Sequence, residues 1–335
     1  MKIAINGFGR IGRLTLRAFM EYAEKYDFNI VAINDLSDID AAIHLLKYDS
    51  VHGRLNNDVQ KISDNEFALD GKKLTYISEK LPQNLPWREL NVDLVMECTG
   101  TLKSKKECEL HLEAGAKKVL ISCPIDDVDN TIVYGINQDS LDYEKDTIVS
   151  NASCTTNCLA HVVNAIHKEI GIENGFATTV HSYTSDQRLV DTNHKDPRRS
   201  RAAASSMIPT STGATKAIAH FFPELNGKLS GLSIRVPTPN VSLLDFTFTA
   251  SRIITENDIR QAIIKYSNTL SKDIFDYTDE LLVSSDFNHS PCSAMVDMSL
   301  IKIVDGRIGH VVAWYDNEWG FSVRMLDTAQ KMLRP

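Results

Sequence analysis

The chain has 335 residues, enough for two domains that each bury a full core. Lys and Arg number 36 against 44 Asp and Glu, and the net charge of -8 argues against a dedicated nucleic-acid binder, which carries a basic excess. No run of about 18 apolar residues occurs, so no membrane span is expected. Six cysteines are too sparse for a disulfide scaffold, and none pair as C-x-x-C, so no metal site is expected. The sequence opens straight into an apolar strand and not a charged leader, which makes the cytoplasm, with reduced thiols, the expected compartment.

In chain order, Ile3-Ala4-Ile5 reads as a strand, followed by a glycine turn and a helix carrying Ile11, Leu14, Ala18 and Tyr22 on one face. The strand Ile30 to Ile33 comes next, then the buried run Leu94-Val95-Met96. A mostly polar helix, Lys103 to Ala114, leads to the strand Val119-Leu120-Ile121. Ile132-Val133-Tyr134 and Ile148-Val149 complete the series. Strand and helix in alternation imply a parallel sheet with helices on both faces.

Near residue 151 the pattern changes. A helix starts at Cys154, with Leu159, Val162, Val163, Ile166 and Ile170 at helical spacing. Thr178-Thr179-Val180, Ser233 to Val236, Val241 to Thr249, Met295 to Ile303 and Ile308 to Trp314 then alternate with period two. That alternation predicts an antiparallel sheet with one face covered. Thr184 to Ala204, polar and aperiodic, reads as a long ordered loop. Gly320 to Leu333 returns to helical spacing.

Asn6-Gly7-Phe8-Gly9-Arg10-Ile11-Gly12 is a complete G-x-G-x-x-G, a weak signal alone. Here it follows a strand and opens a helix, and Asp35 ends the next strand 23 residues past Gly12. In that context Gly7 permits the tight turn, Gly9 admits a pyrophosphate to the backbone, and Gly12 lets helix and strand pack closely. Asp35 suits the adenosine ribose hydroxyls and would repel a 2′-phosphate, which favours NAD over NADP. The fold class is therefore α/β: a Rossmann-type, doubly wound parallel sheet plus an α+β catalytic domain with a mostly antiparallel sheet. The expected division is residues 1–150 for NAD, with a C-terminal helix at 318–335 returning to them, and 151–317 for substrate.

Cys154 lies in Ser150-Asn151-Ala152-Ser153-Cys154-Thr155-Thr156-Asn157-Cys158, where small polar residues lead into the helix. A sulfur at a helix N-terminus meets free N–H groups and a favourable dipole, so a reactive thiolate is expected there. A buried structural cysteine fits the local pattern equally well. His181 ends a period-two strand and is expected to reach the thiol from the neighbouring domain, pairing with the thiolate and then acting as base. Taken alone it is also an ordinary strand histidine.

These segments, with Asn34-Asp35, Lys47 to Gly53, Arg235-Val236-Pro237-Thr238-Pro239-Asn240-Val241-Ser242 and Trp314 to Gly320, resemble the phosphorylating glyceraldehyde-3-phosphate dehydrogenases over essentially the whole chain. The resemblance implies a homotetramer that uses NAD and inorganic phosphate to convert glyceraldehyde 3-phosphate to 1,3-bisphosphoglycerate, and it adds tetramerisation to the role of residues 151–317. By position it makes Cys154 the nucleophile and His181 its base. It places anion sites on Ser153, Thr155, Thr212 and Gly213, and on Thr184 and Arg235. Cofactor contacts fall on Gly7, Gly9, Arg10, Ile11, Gly12, Asp35, Thr99, Ser122 and Asn317, with Asn317 on the nicotinamide carboxamide.

Three positions depart from the family pattern. Lys80 stands where many bacterial members have arginine beside the adenine, keeping charge without planar stacking. Cys123 replaces the usual alanine after Ser122, and Thr192-Asn193 follow Asp191 where NAD-specific members often carry Leu-Pro. In the same loop, Arg198, Arg199 and Arg201 are offered to subunit contacts. Two other functions were weighed: an erythrose-4-phosphate dehydrogenase using the same cysteine and histidine, and an NAD-binding redox sensor without catalysis. The anion-binding hydroxyls and Thr238-Pro239-Asn240 favour the phosphorylating enzyme.

Overall fold

A computed structural model describes residues 1–334. The chain divides into two compact units: Met1–Ser153 together with the residues from Ser322 onward, and Cys154–Phe321.

The first unit holds a nine-stranded sheet. Across it run Asn130–Thr131, Ile148–Ser150, Lys118–Ile121, Leu94–Glu97, Lys2–Asn6, Asn29–Asn34, Lys72–Ile77, Glu66–Leu69 and Val59–Ser63. The first seven pair in parallel, and the last two add an antiparallel edge. Ile3, Ala4, Ile5, Leu94, Val95 and Met96 are fully buried, as near-continuous apolar strands covered on both faces should be. From Lys2–Asn6 the chain first builds toward one edge, then crosses to place Leu94–Glu97 on the other side. That reversal opens a crevice at the carboxyl ends of the strands, where ligands of such sheets bind.

Two sequence expectations change here. Ile132 and Val133 are fully buried, yet the short strand is Asn130–Thr131, since burial of an apolar pair does not require a ladder partner. The strands Val59–Ser63, Glu66–Leu69 and Lys72–Ile77 lie outside the sequence expectations, although Phe67, Leu69, Leu74 and Tyr76 are buried at period-two spacing on either side of Asp70-Gly71. The polar helix is Lys105–Glu113, begun by a capping box between Ser104 and Glu107.

In the second unit the helix Cys154–Ile170 accompanies a seven-stranded sheet. Its order is Ile208–Thr210, Leu229–Val236, Ile172–Ser182, Ser242–Ala250, Ile308–Tyr315, Ala294–Val304 and Phe275–Thr278. Four pairings are antiparallel; Leu229–Val236 beside Ile172–Ser182, and Phe275–Thr278 beside Ala294–Val304, are parallel. The sheet is thus mostly antiparallel, as expected, with two parallel pairings that period-two alternation does not single out, since it reports only that one face is buried. Residues 184–207 form a loop with a single isolated bridge, Arg188 to Ala202. The last helix is Trp319–Leu333.

Candidate active site

Cys154 is the first residue of its helix, and its Sγ lies 3.6 Å from His181 Nε2. Both residues belong to the second unit, so the histidine approaches from the same domain and not the neighbouring one. His181 is buried at the end of strand Ile172–Ser182. Its Nδ1 lies 2.8 Å from the Ser182 carbonyl and 2.8 Å from Arg235 Nη1. With a proton on Nδ1 the ring donates to Ser182, leaving Nε2 a lone pair facing the sulfur. With the proton on Nε2, Arg235 donates to Nδ1 and the ring donates toward the sulfur instead. Both tautomers have a partner, as a group that takes and returns a proton requires.

Burial raises the Cys154 thiol above its ordinary value, although the Arg235 charge and hydrogen bonds from Thr155 and the helix N-terminus pull the other way. Burial, reinforced by the Arg235 charge, lowers His181 to about 3. Burial thus opposes a charge on either the thiol or the imidazole, and Arg235 favours the thiolate while disfavouring the imidazolium. Helix position favours a thiolate, but desolvation of the sulfur outweighs it.

Arg235 is register partner to His181 on the adjacent parallel strand. Its Nη1 also donates to Ser182 O at 3.1 Å, while its Nε is buried without a hydrogen-bond partner. An orphaned guanidinium N–H in a buried position suits an anion. Thr184 is half-buried two residues beyond Ser182 in the chain. Thr212 Oγ1 accepts from Ala214 N at 3.2 Å, and exposed Gly213 precedes the helix Ala214–Phe221. The Thr155 hydroxyl turns inward, 2.9 Å from the Tyr315 hydroxyl. Asn317 is buried, and its Oδ1 accepts from Ser182 Oγ at 2.9 Å and Ser242 Oγ at 2.8 Å. With its oxygen so engaged, the amide NH₂ is the end left for a ligand. Val241, just before Ser242, has φ of 65°, a strained conformation for a β-branched residue.

In the first unit, a cleft of about 430 Å³ is lined by Asn6, Gly7, Gly9, Asn34, Asp35, Lys80 and Thr99 among others. Gly7 has φ of 91°, and a Cβ there would lie 2.6 Å from Thr99 N. A Cβ on Gly12 would lie 2.1 Å from Gly7 O, so helix and turn approach as closely as the motif predicts. Nothing lies within 4 Å of a Cβ on Gly9, so the backbone there faces open space. Gly9 caps the helix Arg10–Glu21 with no side chain, and the first turn carries no acid. That leaves a positive helix end for a pyrophosphate. Asp35 accepts from Phe8 N at 2.7 Å and from Ser37 N and Oγ. Burial opposes its ionisation, but those hydrogen bonds and the Arg13 charge hold its carboxyl below the usual range. Arg10 forms an ion pair with Asp49, and Ile11 is half-buried in the same turn. Ser122 and Ser153, both partly exposed, also belong to this unit.

Two family models match: the glyceraldehyde 3-phosphate dehydrogenase NAD binding domain over residues 1–105 and the C-terminal domain over residues 153–317. The chain belongs to the glyceraldehyde 3-phosphate dehydrogenase family. The plasmid-borne glyceraldehyde-3-phosphate dehydrogenase of Cupriavidus necator is 51% identical over 330 residues, covering 98% of this chain and 97% of that one. The Zymomonas mobilis enzyme of that name is 50% identical, over 100% and 99% of the two chains. That of Geobacillus stearothermophilus is 48% identical, over 98% and 97%. Relatives so named do not favour the erythrose-4-phosphate reading.

Sequence reasoning missed two residues of this family member's site. Tyr315 sets its ring edge-on to His181, with centroids 5.9 Å apart, and anchors Thr155. Arg199 donates Nε to Thr210 Oγ1 at 2.9 Å and pairs with Asp186, and its positive charge bears on both His181 and Arg235. A lone tyrosine ending a strand and one arginine within a basic run carry no local signal for these positions.

Proposed function

We propose that this chain uses NAD and inorganic phosphate to oxidise D-glyceraldehyde 3-phosphate to 1,3-bisphosphoglycerate, through a hemithioacetal and then a thioester on Cys154. The 3.6 Å approach of Cys154 Sγ to His181 Nε2, with Arg235 behind the ring, is the observation that supports it most. As the sulfur bonds to the aldehyde carbon, His181 takes the thiol proton and passes it to the carbonyl oxygen, which becomes a hydroxyl and leaves the ring neutral again. NAD supplies the acceptor for the hydride that leaves that carbon. His181 receives the hydroxyl proton at that moment, and the carbon becomes a thioester carbonyl. Phosphate then displaces the sulfur, which leaves as a thiol with the proton returned from His181. In this reading the backbone N–H of Cys154 is the donor to the developing oxyanion.

Arg235 and Thr184 hold one phosphate; Ser153, Thr155, Thr212 and Gly213 hold the other. Residues 1–150, with the helix at 318–335, carry NAD on Gly7, Gly9, Arg10, Ile11, Gly12, Asp35, Lys80, Thr99 and Ser122. Residues 151–317 carry the chemistry, with the Asn317 amide on the nicotinamide carboxamide. In the loop of residues 184–207, Leu189, Val190 and Met207 are exposed by 81%, 71% and 76%, which supports a homotetramer built across it. Light scattering should return four times the 37.4 kDa chain mass. Among the described residues no helix is long and apolar enough to cross a membrane.

The decisive experiment is intact-protein mass spectrometry after mixing enzyme, NAD and glyceraldehyde 3-phosphate without phosphate. An acyl adduct on Cys154 that phosphate discharges as acyl phosphate is expected. Turnover without such an adduct would defeat the reading, and release of free acid as the sole product would favour the hydrolytic alternative.

A further inference from the structure

Beneath the cofactor cleft lies a buried carboxylate that the reaction does not use. Glu97, 1% exposed, ends the strand Leu94–Glu97. Its Oε2 accepts from Asn6 Nδ2 at 2.6 Å and lies 3.1 Å from His111 Nε2; its Oε1 accepts from Thr99 N at 2.8 Å and from the Thr99 hydroxyl. His111 is completely buried on the helix Lys105–Glu113, and Trp87 Nε1 donates to its Nδ1 at 3.0 Å. An indole N–H can only donate, so Nδ1 holds a lone pair and the ring proton sits on Nε2. His111 is then neutral and donates to Glu97. The carboxylate thus gathers four donors, none of them charged, in a place where an unsatisfied oxygen would be costly.

The arrangement has a direction. Asn6 spends its NH₂ on Glu97, so its Oδ1 must face the other way, where it accepts from Asn34 Nδ2 at 2.7 Å. Asn34 in turn donates to Glu79 O and accepts from Glu79 N, each at 2.9 Å. One acceptor therefore sets the orientation of two successive amides across the ends of three neighbouring strands. Asn6, Asn34, Glu79 and Thr99 all line the cleft, and Asp35 follows Asn34 directly. Thr99 N, fixed by Glu97, is also the atom that a Gly7 Cβ would strike.

We propose that Glu97 is a positioning residue for NAD. It acts through Asn6 and Thr99, with neutral His111 as its permanent donor, and it holds the floor of the cleft in the binding geometry. The proposal rests on the reading of this cleft as the NAD site. A glutamine at position 97 cannot accept four bonds. Its NH₂ must face either Thr99, which leaves the Thr99 N–H without its acceptor, or the paired donors of Asn6 and His111, which turns Asn6 and breaks its bond with Asn34.

The test is NAD affinity by titration calorimetry on the full chain, alongside melting curves and steady-state kinetics. Glu97→Gln is expected to raise the Kd and the KM for NAD by about tenfold or more, with kcat changed by less than about threefold. His111→Gln keeps an acceptor for Trp87 and a donor for Glu97, and should bind NAD within about twofold of wild type. His111→Leu removes that donor and should weaken binding by about fivefold or more, so this pair decides the matter even where Glu97→Gln does not fold. A merely structural role would lower the melting temperature of these variants without moving Kd, and that result overturns the proposal. So does equal affinity of His111→Gln and His111→Leu. Failure of the wild-type chain to bind NAD at all would instead remove the reading of the cleft.

Discussion

His181 and Arg235 are register partners on adjacent parallel strands, with Nδ1 and Nη1 2.8 Å apart. The pairing sets a permanent positive charge behind the ring whose other nitrogen faces the nucleophile. That charge lowers both groups of the pair: it lowers the Cys154 thiol against the larger upward effect of burial, and it adds to burial in lowering His181.

Neutralising the arginine should therefore shift both groups upward. In Arg235→Gln the thiol ionises at higher pH, and the rate of alkylation of Cys154 by iodoacetamide, which tracks the thiolate, should show its rise displaced to the alkaline side. His181 should climb from about 3 toward its ordinary range. A pH–rate curve for alkylation in the variant that overlays wild type, or moves toward acid, would contradict the electrostatic account.

Cys154→Ser replaces the sulfur with an oxygen that His181 cannot readily ionise. Turnover should fall by at least about a thousandfold, because the covalent route is closed. The cleft lined by Gly7, Gly9 and Asp35 is untouched, so NAD affinity should stay within about twofold. Parallel kinetics and calorimetry check both halves; normal turnover in the variant would end the enzyme reading.

Asp35→Asn keeps an acceptor for either Phe8 N or Ser37, which bond to different oxygens of the aspartate, and removes the charge that repels a 2′-phosphate. The ratio of kcat/KM for NADP to that for NAD should rise by about tenfold or more. An unchanged ratio would shift the source of discrimination elsewhere, with Lys80 and Thr192-Asn193 the next positions to vary.

Gly7→Ala drives a Cβ to 2.6 Å from Thr99 N and puts alanine at φ of 91°. The combined cost should be about 2 kcal/mol or more, seen as a lower melting temperature, with NAD binding weakened in the same variant. Gly9→Ala meets no atom within 4 Å, so its melting temperature should hardly change and only NAD affinity should suffer. Equal loss of stability in both variants would contradict this division of labour between the two glycines.

Much of the scaffold was legible because its signals are local. Alternating apolar strands and helices, the glycine turn before Arg10, the acid at the end of the next strand and the helix start at Cys154 each sit within a few residues of chain. The mostly antiparallel second sheet was legible from its period-two strands, but its two parallel pairings were not, because alternation records which face is buried and not which strands become neighbours. The hairpin of Glu66–Leu69 and Lys72–Ile77 carries a local signal too, alternation around Asp70-Gly71, whereas Val59–Ser63, exposed beyond Val59, carries none.

The amino-acid order by itself determined the family, the glycine turn, and which cysteine begins a helix, since each is written in contiguous residues. Tertiary structure alone decided the burial that opposes charge on Cys154 and His181, the partnership of His181 with Arg235 54 residues away, and the polar chain from His111 through Glu97 to Asn34. Desolvation and register depend on what surrounds a side chain in space, and no short stretch of sequence carries that information.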